Sequence, residues 1–434
     1  MRRAVHATPH RLSLHLLLPC LAVWACTARQ EPAQPRRIAT WLAAQQDYNE
    51  TLPGGMQVQA PVAWSDATLR QIAHVSLGGS EVRIKLSNVF GTQPVTFAAI
   101  GAARSSGGFA IDLATAQTVM FAGSAALTLG AGEEAWSDPL AWSLADNADV
   151  AVSLYVPAET SVASAHILAQ QTAFVASGNA TGAASLVGAQ TTTSSYWLAG
   201  IDVTADSRAK VVVIFGDSLT DGAESTIDAN HRWPNFLDAR LHAQPSPVPV
   251  SVVNAGIGDT TTRDARKRLD RDVRAFAPDL VLVQFGINDS WIDAEEGRRE
   301  PRLARAEYRD NLVFIVRTLR VDGARIVLMT PNPMRWDRAE EIAVFRAHPG
   351  LLDAADERGL NGLLDLYAQT VREVAREQNV SLVDVHRAFE AYGDAPGRSI
   401  RELLIAGDGI HPSAAGQRLV CRLVTAALAG LLRP

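Results

Sequence analysis

Cysteine is scarce in this chain of 434 residues. There are three cysteines, and two of them, Cys20 and Cys26, fall near the N-terminus. The third, Cys421, has no partner for an internal disulfide, so the fold must be stable without disulfide bonds. Cys421 lies in the apolar, helical-looking stretch 419–432, where a packing role is a better interpretation than a nucleophilic one.

Basic residues are also scarce over part of the chain, whereas a nucleic-acid partner would need a basic face. The formal net charge is −6, and from residue 39 to residue 206 only four basic side chains stand against thirteen acidic ones. The basic cluster 266–268 has acids close by and is typical of a solvated helix face. The composition therefore argues against a nucleic-acid partner, while its 47% hydrophobic content is typical of a globular protein.

The apolar run of residues 12–25 is shorter than the roughly 20 residues that a membrane-spanning helix needs. Arginines at positions 2 and 3 precede the run and small residues end it, which is the pattern of a secretory signal peptide. We predict a signal peptide over residues 1–25 and a linker over 26–38. The mature protein is then expected in the periplasm or outside the cell.

Cys26 gives the leader a second interpretation. A cysteine directly after the cleavage site is the position at which bacterial lipoproteins are acylated, so Cys26 is a candidate lipid anchor. Trp24 fits this alternative poorly, because such sites usually carry a small residue there. Both forms of the leader predict export.

In residues 39–207, apolar residues alternate with other residues at a period of two. In 81–86 apolar residues alternate with charged ones, and in 150–156 they alternate with Ala151, Ser153 and Tyr155. Half-buried strands of this kind, separated by Gly, Asn and Pro turns, are typical of an antiparallel sandwich. We predict a jelly-roll-like β-sandwich module over 39–207.

From residue 208 onward the pattern changes to continuous apolar runs separated by charged, helical-looking segments. Runs of this kind are typical of strands buried on both faces of a parallel sheet. The predicted strands are 211–215, 250–253, 280–283 and 325–329, and the predicted helices are Trp233–His242, Thr262–Phe276 and Tyr308–Arg320. We predict an α/β domain over residues 208–434.

Polar segments follow the predicted strands at the edge where an α/β sheet binds its ligands. Three of them are 216–219, 254–259 and 286–289, and a fourth, 408–412, precedes the last predicted helix. Ser218 stands on a strand-to-helix turn and is the candidate nucleophile, which needs an adjacent base. His411 is the candidate base, and Asp408 is placed to fix its tautomer.

Acyl transfer also needs hydrogen-bond donors that face the developing oxyanion. The backbone N–H of Gly258 and the side-chain amide of Asn288 are the two candidates, with the N–H of Ser218 as a third. Trp291 and Trp336 are candidates for a substrate pocket, although tryptophans of this kind also pack in cores. The stretch 332–362, which includes Trp336, is long for a connection and predicts a lid or an inserted helical hairpin.

The four segments together resemble the GDSL or SGNH hydrolase family, named for Ser, Gly, Asn and His in four blocks. Gly-Asp-Ser-Leu at 216–219, Gly-x-Asn-Asp at 286–289 and Asp-x-x-His at 408–411 occur in order. The resemblance covers residues 210–434. It implies a flavodoxin-like three-layer α/β/α sandwich that hydrolyses esters or thioesters without a metal or another cofactor.

The second block departs from the family pattern, because the distance from its asparagine to its glycine is one residue shorter than usual. Aligned from the Asp-Thr side, Gly258 is the oxyanion donor. Aligned from the asparagine, the position shifts to Gly256 or Asp259. We favour Gly258.

These observations predict an exported serine ester hydrolase that forms an acyl-serine intermediate. The expected substrates are short-chain or acetyl esters, either small esters or acetylated carbohydrates. An SGNH-type O-acyltransferase with the same residues is one alternative. The other is a glycan-binding protein in which the β-sandwich recognises carbohydrate. The histidines outside the fourth block have no spacing typical of metal ligands, so no metal is expected.

Overall fold

The computed structural model describes Met1 and residues 35–49, 62–243, 248–334 and 360–431. The predicted signal peptide from residue 2, the candidate anchor Cys26 and the candidate pocket residue Trp336 lie outside the described residues, as does most of the predicted lid. The chain divides into two compact units, residues 1–33 and residues 34–434. No helix in the described ranges is both long and apolar enough to cross a membrane.

The N-terminal β-rich region consists of antiparallel strands, most of them in two sheets. Its described strands are β1 Arg36–Leu42, β2 Gln46–Asp47, β3 Ala63–Trp64, β4 Ala67–His74, β5 Gly79–Ser87, β6 Val95–Phe97, β7 Ala99–Gly107, β8 Ala110–Ile111, β9 Gln117–Thr118, β10 Leu127–Leu129, β11 Glu134–Trp136, β12 Leu140–Leu144, β13 Asp149–Val156, β14 Thr160–Ser161, β15 Ser164–His166, β16 Ala173–Ser177, β17 Gln190–Thr192, β18 Ser195–Tyr196 and β19 Leu198–Ala205. One sheet has the order β1-β19-β5-β11, with β12 also on β5. The other has the order β17-β16-β4-β13-β7-β8, with β9 also on β7.

The period-two pattern correctly locates strands β5 and β13, but it describes the burial of neither fully, since Lys85 of β5 is also buried. In β13 the four alternating apolar residues are buried, and so are Ala151 and Ser153 between them. The half-exposed face predicted for β13 is therefore wrong. A second apolar cluster that includes Ala151, Phe174 and Leu186 covers that face. The stacking of the two sheets into a sandwich stays a prediction.

The C-terminal region is an α/β domain, as predicted. Its strands are all parallel, in the order β21-β20-β22-β23-β24: β20 Lys210–Gly216, β21 Val250–Gly256, β22 Leu280–Gln284, β23 Arg325–Met329 and β24 Ser381–Val383. The described helices are α1 Ser218–Asp221, α2 Trp233–His242, α3 Thr262–Asp272, α4 Arg305–Val321, α5 Leu360–Glu377, α6 Val385–Gly393 and α7 Ala414–Leu428, with 3₁₀ turns at Leu113–Thr115, Arg274–Phe276, Ala294–Glu296 and Ile400–Glu402. This strand order is that of flavodoxin-like sheets, which bind ligands at the carboxyl end of the first strand.

Helices cover both faces of the parallel sheet. Val212 and Ile214 of β20 pack in one cluster with α2, α6 and α7. Val211 and Val213, which point the other way, pack in another cluster with α3, α4 and α5. The short strand β24 is absent from the prediction, since three residues are too few to show a period.

The β-rich region packs directly against the α/β domain. Strand pairing changes from antiparallel to parallel between β19 and β20, next to the predicted boundary at residue 208. Apolar residues from both sides nevertheless belong to one cluster, and Ser251 Oγ donates to the carbonyl oxygen of Ala39 at 2.6 Å. The two regions thus share a core, and the domain boundary itself stays a prediction.

Candidate active site

Ser218 lies on the turn that follows the central strand β20. The strand ends at Gly216, where a Cβ atom would lie 2.6 Å from the carbonyl oxygen of Gln284 on β22, so only glycine fits. The side chain of Asp217 caps helix α1 by accepting the N–H of Leu219 at 3.0 Å. Ser218 is the first residue of α1, and 8% of it is exposed.

His411 is in hydrogen-bond contact with Ser218. Its Nε2 atom is 3.0 Å from Ser218 Oγ, and its Nδ1 atom is 2.5 Å from Asp408 Oδ2. Asp408 Oδ1 accepts the backbone N–H groups of Ile410 at 2.8 Å and of His411 at 3.1 Å. The structure thus brings together three residues of the prediction, although 193 positions separate Ser218 from His411.

The environment of Asp408 favours its charged form. Burial opposes ionisation, but the hydrogen bonds from His411 and from the two backbone N–H groups contribute to lowering the pKa of Asp408 below its usual value. A carboxylate only accepts hydrogen bonds, so Nδ1 of His411 carries the proton and Nε2 presents a lone pair to Ser218 Oγ. That tautomer is the one a general base needs.

Asn288 follows β22 in a turn that includes Gly286, whose φ is 132°. Its Nδ2 atom donates to the carbonyl oxygen of Thr260 at 3.0 Å, which ties Asn288 to the turn after β21. An amide carries two hydrogens, so a second remains for an oxyanion. The N–H of Ser218 is a further donor, because the first N–H groups of a helix have no partner within the helix.

Gly258 is close to Ser218, but its N–H is engaged elsewhere. A Cβ atom at position 258 would lie 3.9 Å from Ser218 Cβ and 2.7 Å from Leu168 Cδ1. The N–H of Gly258 donates to Asp221 Oδ2 at 3.2 Å. An oxyanion would have to share this donor with Asp221, and the oxyanion role of Gly258 stays a prediction.

Of the alternatives to Gly258, Gly256 has an engaged N–H and Asp259 has an engaged side chain. The N–H of Gly256 donates to Asn254 Oδ1 at 2.9 Å, and a Cβ atom there would lie 2.3 Å from the backbone nitrogen of Asp221. Gly256 is therefore packed against helix α1, where an oxyanion has no room. The side chain of Asp259 pairs with Arg302 at 2.5 Å.

Two residues that the sequence analysis does not select lie beside this site. Asp221 ends helix α1, and its Oδ1 atom is 3.0 Å from Nε2 of His166 in the β-rich region. Both side chains are buried. Asp221 is detectable in retrospect, since it is three residues from Ser218 on one helical turn. His166 carries no local signal, because only the packing of the two regions brings it near.

Trp291 packs in a small apolar cluster at the edge of the site. The cluster contains Leu219 and Ile410, which adjoin Ser218 and His411 in sequence; its other members are Ile287, Ile292, Ala294, Met334, Leu360, Leu363 and Leu364. The cluster thus adjoins the two chain segments that carry Ser218 and His411. The pocket role of Trp291 stays a prediction.

Two carboxyl groups are buried close to the site. Asp217 and Asp289 are 0% exposed, and Oδ2 of each has no hydrogen-bond partner among the described residues. Burial raises the pKa of Asp217 well above its usual range. Burial also raises the pKa of Asp289 to about 7, although the N–H and hydroxyl of Thr262 donate to its Oδ1 and lower it in part.

Protonation of Asp289 should make stability depend on pH. The folded protein keeps this proton up to about pH 7, whereas the unfolded chain releases it near pH 4. Rising pH therefore favours the unfolded chain in this window, by up to roughly 4 kcal/mol in total. The asparagine of Asp289→Asn cannot ionise. The free energy of unfolding of this variant should therefore rise relative to that of the native protein as the pH increases from 4 to 7, as measured by urea unfolding.

The exposed carboxylate Asp310 on α4, whose side chain is 76% exposed, provides the control. Asp310→Asn should leave the pH dependence of the native protein unchanged. Parallel stability profiles for Asp289→Asn and the native protein would contradict the buried, protonated carboxyl.

A second group of ionisable residues lies on α5 and α6. Within the described ranges, ligand atoms of Asp365, His386 and Glu390 lie within 4.8 Å of one another. Nε2 of His386 is 3.0 Å from Asp365 and its Nδ1 is 3.4 Å from Glu390. The acids face opposite ring nitrogens, which suits an imidazole between two carboxylates better than a metal bound to one nitrogen.

Comparison with known proteins identifies the family of this chain. The model of the GDSL-like lipase/acylhydrolase family matches residues 214–419. An uncharacterised lipoprotein of Bacillus subtilis, YqeF, is 31% identical over 206 residues, which are 46% of this chain and 80% of that protein. The chain belongs to the GDSL-like lipase/acylhydrolase family.

Other relatives of this GDSL-family protein carry names of activities. An acetylxylan esterase of Geobacillus stearothermophilus is 26% identical over 49% of this chain and 90% of its own length. The esterase TesA of Pseudomonas aeruginosa is 25% identical over 51% and 88%. The family and these relatives carry the names of ester hydrolases, and this GDSL-family protein is a carboxylic ester hydrolase.

Among solved structures, a lipase/acylhydrolase from Enterococcus faecalis covers 52% of this chain and 98% of its own, with 26% identity and a TM-score of 0.40. A score this low adds no argument about the fold. The assignment of the α/β domain rests on its own strand order.

Proposed function

We propose that this GDSL-family esterase works through an acyl-serine intermediate, with Ser218 as nucleophile, His411 as general base and Asp408 as the residue that orients His411. The hydrogen-bonded chain from Asp408 through His411 to Ser218 Oγ carries the proposal. A serine hydroxyl is a weak nucleophile by itself, and a base within hydrogen-bond distance is what activates it.

The first half-reaction forms the acyl-enzyme. Ser218 Oγ attacks the ester carbonyl carbon while Nε2 of His411 takes the hydroxyl proton. The oxyanion that results is stabilised by the Asn288 amide and the Ser218 N–H, with Gly258 as a third, shared donor. When the intermediate collapses, the carbon–oxygen bond to the alcohol breaks, and His411 gives its proton to the leaving oxygen.

The second half-reaction repeats these steps with water. His411 takes a proton from water, the hydroxide attacks the acyl-serine, and the carbon–oxygen bond to Ser218 breaks. The proton on His411 returns to Ser218 Oγ, so the enzyme is regenerated and a carboxylic acid is released. Asp408 stays ionised throughout and stabilises the imidazolium that forms in each step.

Acetyl esters of carbohydrates are the proposed substrate class. Two relatives are acetylxylan esterases, one from Geobacillus stearothermophilus and one from Xylanibacter ruminicola. Ser218 is almost fully buried, which favours a small acyl group over a long chain. The proposed place of action is outside the cytoplasm, supported by the leader-like residues 1–25 and the lipoprotein relative. An unprocessed N-terminus on protein isolated from its native host would contradict export.

The test is a substrate panel with the purified protein. We expect p-nitrophenyl acetate to be cleaved with a kcat/KM at least about tenfold above that of the octanoate ester, with butyrate between them, because a small acyl site penalises each added methylene group. Acetylated xylo-oligosaccharides should release acetate, measured directly, with Ser218→Ala as the blank.

Other outcomes separate the competing functions. Fastest turnover of octanoate would contradict the acetyl specificity while leaving the serine mechanism intact. Transfer of the acetyl group to an added sugar, without free acetate, would identify an acyltransferase. Equal inertness of the native protein and the blank on every ester would overturn the mechanism.

A further inference from the structure

A short part of the β-rich region lies against the loop that follows helix α1. We call residues 166–172 the bridging segment. Asp228 in that loop donates its N–H to Gln170 O at 3.1 Å, and its carboxylate accepts from the side chain of Gln171 and the N–H of Thr172 at 2.7 and 2.6 Å. The guanidinium of Arg232 donates to the carbonyl oxygen of Ala169. The bridging segment is therefore fixed on the catalytic domain.

At the start of the bridging segment, His166 forms a buried pair with Asp221. His166 is 5% exposed and Asp221 is 1% exposed. Nδ1 of His166 is 2.9 Å from the carbonyl oxygen of Ala44, and Nε2 is 3.0 Å from Asp221 Oδ1. Both partners accept hydrogen bonds, so both ring nitrogens carry protons and the pair is an imidazolium with a carboxylate. Burial opposes this charge, but Asp221 outweighs it and raises the pKa of His166 above its usual value.

Asp221 connects this pair to two parts of the active site. It is the last residue of α1, the four-residue helix that begins with Ser218. Its Oδ2 atom accepts the N–H of Gly258 at 3.2 Å. The carboxylate thus ties the helical turn that carries the nucleophile to the turn that borders it.

The bridging segment also reaches the surface of the Gly258 turn. Leu168 Cδ1 would lie 2.7 Å from a Cβ atom at position 258, and Ser218 Cβ would lie 3.9 Å from the same point. Leu168 is half-buried. The β-rich region therefore packs against the residue next to the nucleophile.

We propose that His166 is a positioning residue for ester hydrolysis: by holding Asp221, it fixes helix α1 and the Gly258 turn in the arrangement that Ser218 needs. The proposal rests on the serine mechanism above. It makes the β-rich region a part of the catalytic machinery rather than a separate binding module. The reason is that a displacement of about 1 Å at a nucleophile can cost about 100-fold in rate, and removal of His166 takes a buried hydrogen-bond partner from Asp221.

The experiment compares His166→Ala and His166→Gln in the full chain. With p-nitrophenyl acetate, we expect His166→Ala to lower kcat by about 10- to 100-fold with KM changed less than about threefold, because alignment and not binding is lost. Gln keeps an N–H donor but no charge, so His166→Gln should recover part of kcat. Hydrogen exchange at the Gly258 amide should quicken in His166→Ala, which is a readout independent of catalysis.

His74 provides the control, since its Nδ1 atom pairs with Asp149 at 2.7 Å in the same region and forms no hydrogen bond or ion pair with α1 among the described residues. His74→Ala should keep kcat within about twofold of the native value. Equal losses in both variants, or a loss in His166→Ala that matches its unfolded fraction by circular dichroism, would reduce His166 to a structural role and overturn the proposal.

The remaining outcomes are also decisive. A folded His166→Ala with native kcat and native exchange at Gly258 would overturn the proposal. If His166→Ala does not fold, the same two readouts apply to His166→Gln, which must then show a lowered kcat and faster exchange. A native protein inert on all esters would refute the serine mechanism instead, while the exchange measurement would still report whether His166 holds the Gly258 turn.

Discussion

Ser218→Ala is expected to lower kcat for ester cleavage by at least about 1,000-fold, because it removes the atom that forms the acyl-enzyme. The substitution deletes one oxygen at a helix start and creates no new contact, so the fold should survive. The rate that remains would come from the oxyanion donors and from binding alone. Steady-state hydrolysis of p-nitrophenyl acetate measures the loss, and circular dichroism checks the fold.

The control is Ser137→Ala in the β-rich region, which also removes a buried hydroxyl that accepts a backbone N–H. It should reduce stability without reducing kcat. A further check is the double variant of Ser218→Ala with His411→Ala, which should be no slower than Ser218→Ala, because residues that act as a unit are not additive. More than about a tenth of native activity in Ser218→Ala would contradict the nucleophile assignment.

Asp408→Asn is expected to lower kcat by about 100- to 10,000-fold while leaving the backbone in place. Oδ1 of Asp408 accepts two backbone N–H groups, so the oxygen of the asparagine must take that position and its NH2 group must face His411. An NH2 group donates, which forces Nδ1 of His411 to accept and moves the ring proton to Nε2. His411 then has no lone pair for the proton of Ser218.

Asp384→Asn is a suitable comparison, since Asp384 and Asp408 have side chains exposed to the same extent, 24%. Asp384 caps α6 and pairs with Arg372, so its replacement should affect stability and not kcat. If Asp408→Asn and Asp384→Asn show the same kcat, Asp408 does not set the tautomer.

Much of the α/β domain can be predicted because its strands are buried on both faces. Such strands need uninterrupted apolar residues, and the sequence shows such residues in runs such as 211–215 and 326–329. Strand β24 and the buried second face of β13 are not predicted. In each case the deciding partner, a neighbouring strand or the cluster around Phe174, is distant in sequence.

The candidate site likewise has residues that the sequence could predict and a feature that it could not. Asp408 and His411 are three positions apart, and one loop sets their contact, so their spacing is informative by itself. Ser218 and Asn288 could be selected because each follows an apolar strand at the edge where ligands bind. The direction of the Gly258 N–H could not be predicted, because it depends on the carboxylate of Asp221.

By itself, then, the sequence determined the parallel sheet, the order of its polar turns and the chemical types of the residues at its carboxyl edge. These are local properties of hydrophobic periodicity and turn composition. Only the tertiary structure decided that Ser218 and His411 meet at 3.0 Å, and that His166 of the β-rich region contacts Asp221 on the helix of the nucleophile. The reason is physical: a contact across 55 or 193 positions exists only when the folded chain brings its partners together, and no local pattern encodes it.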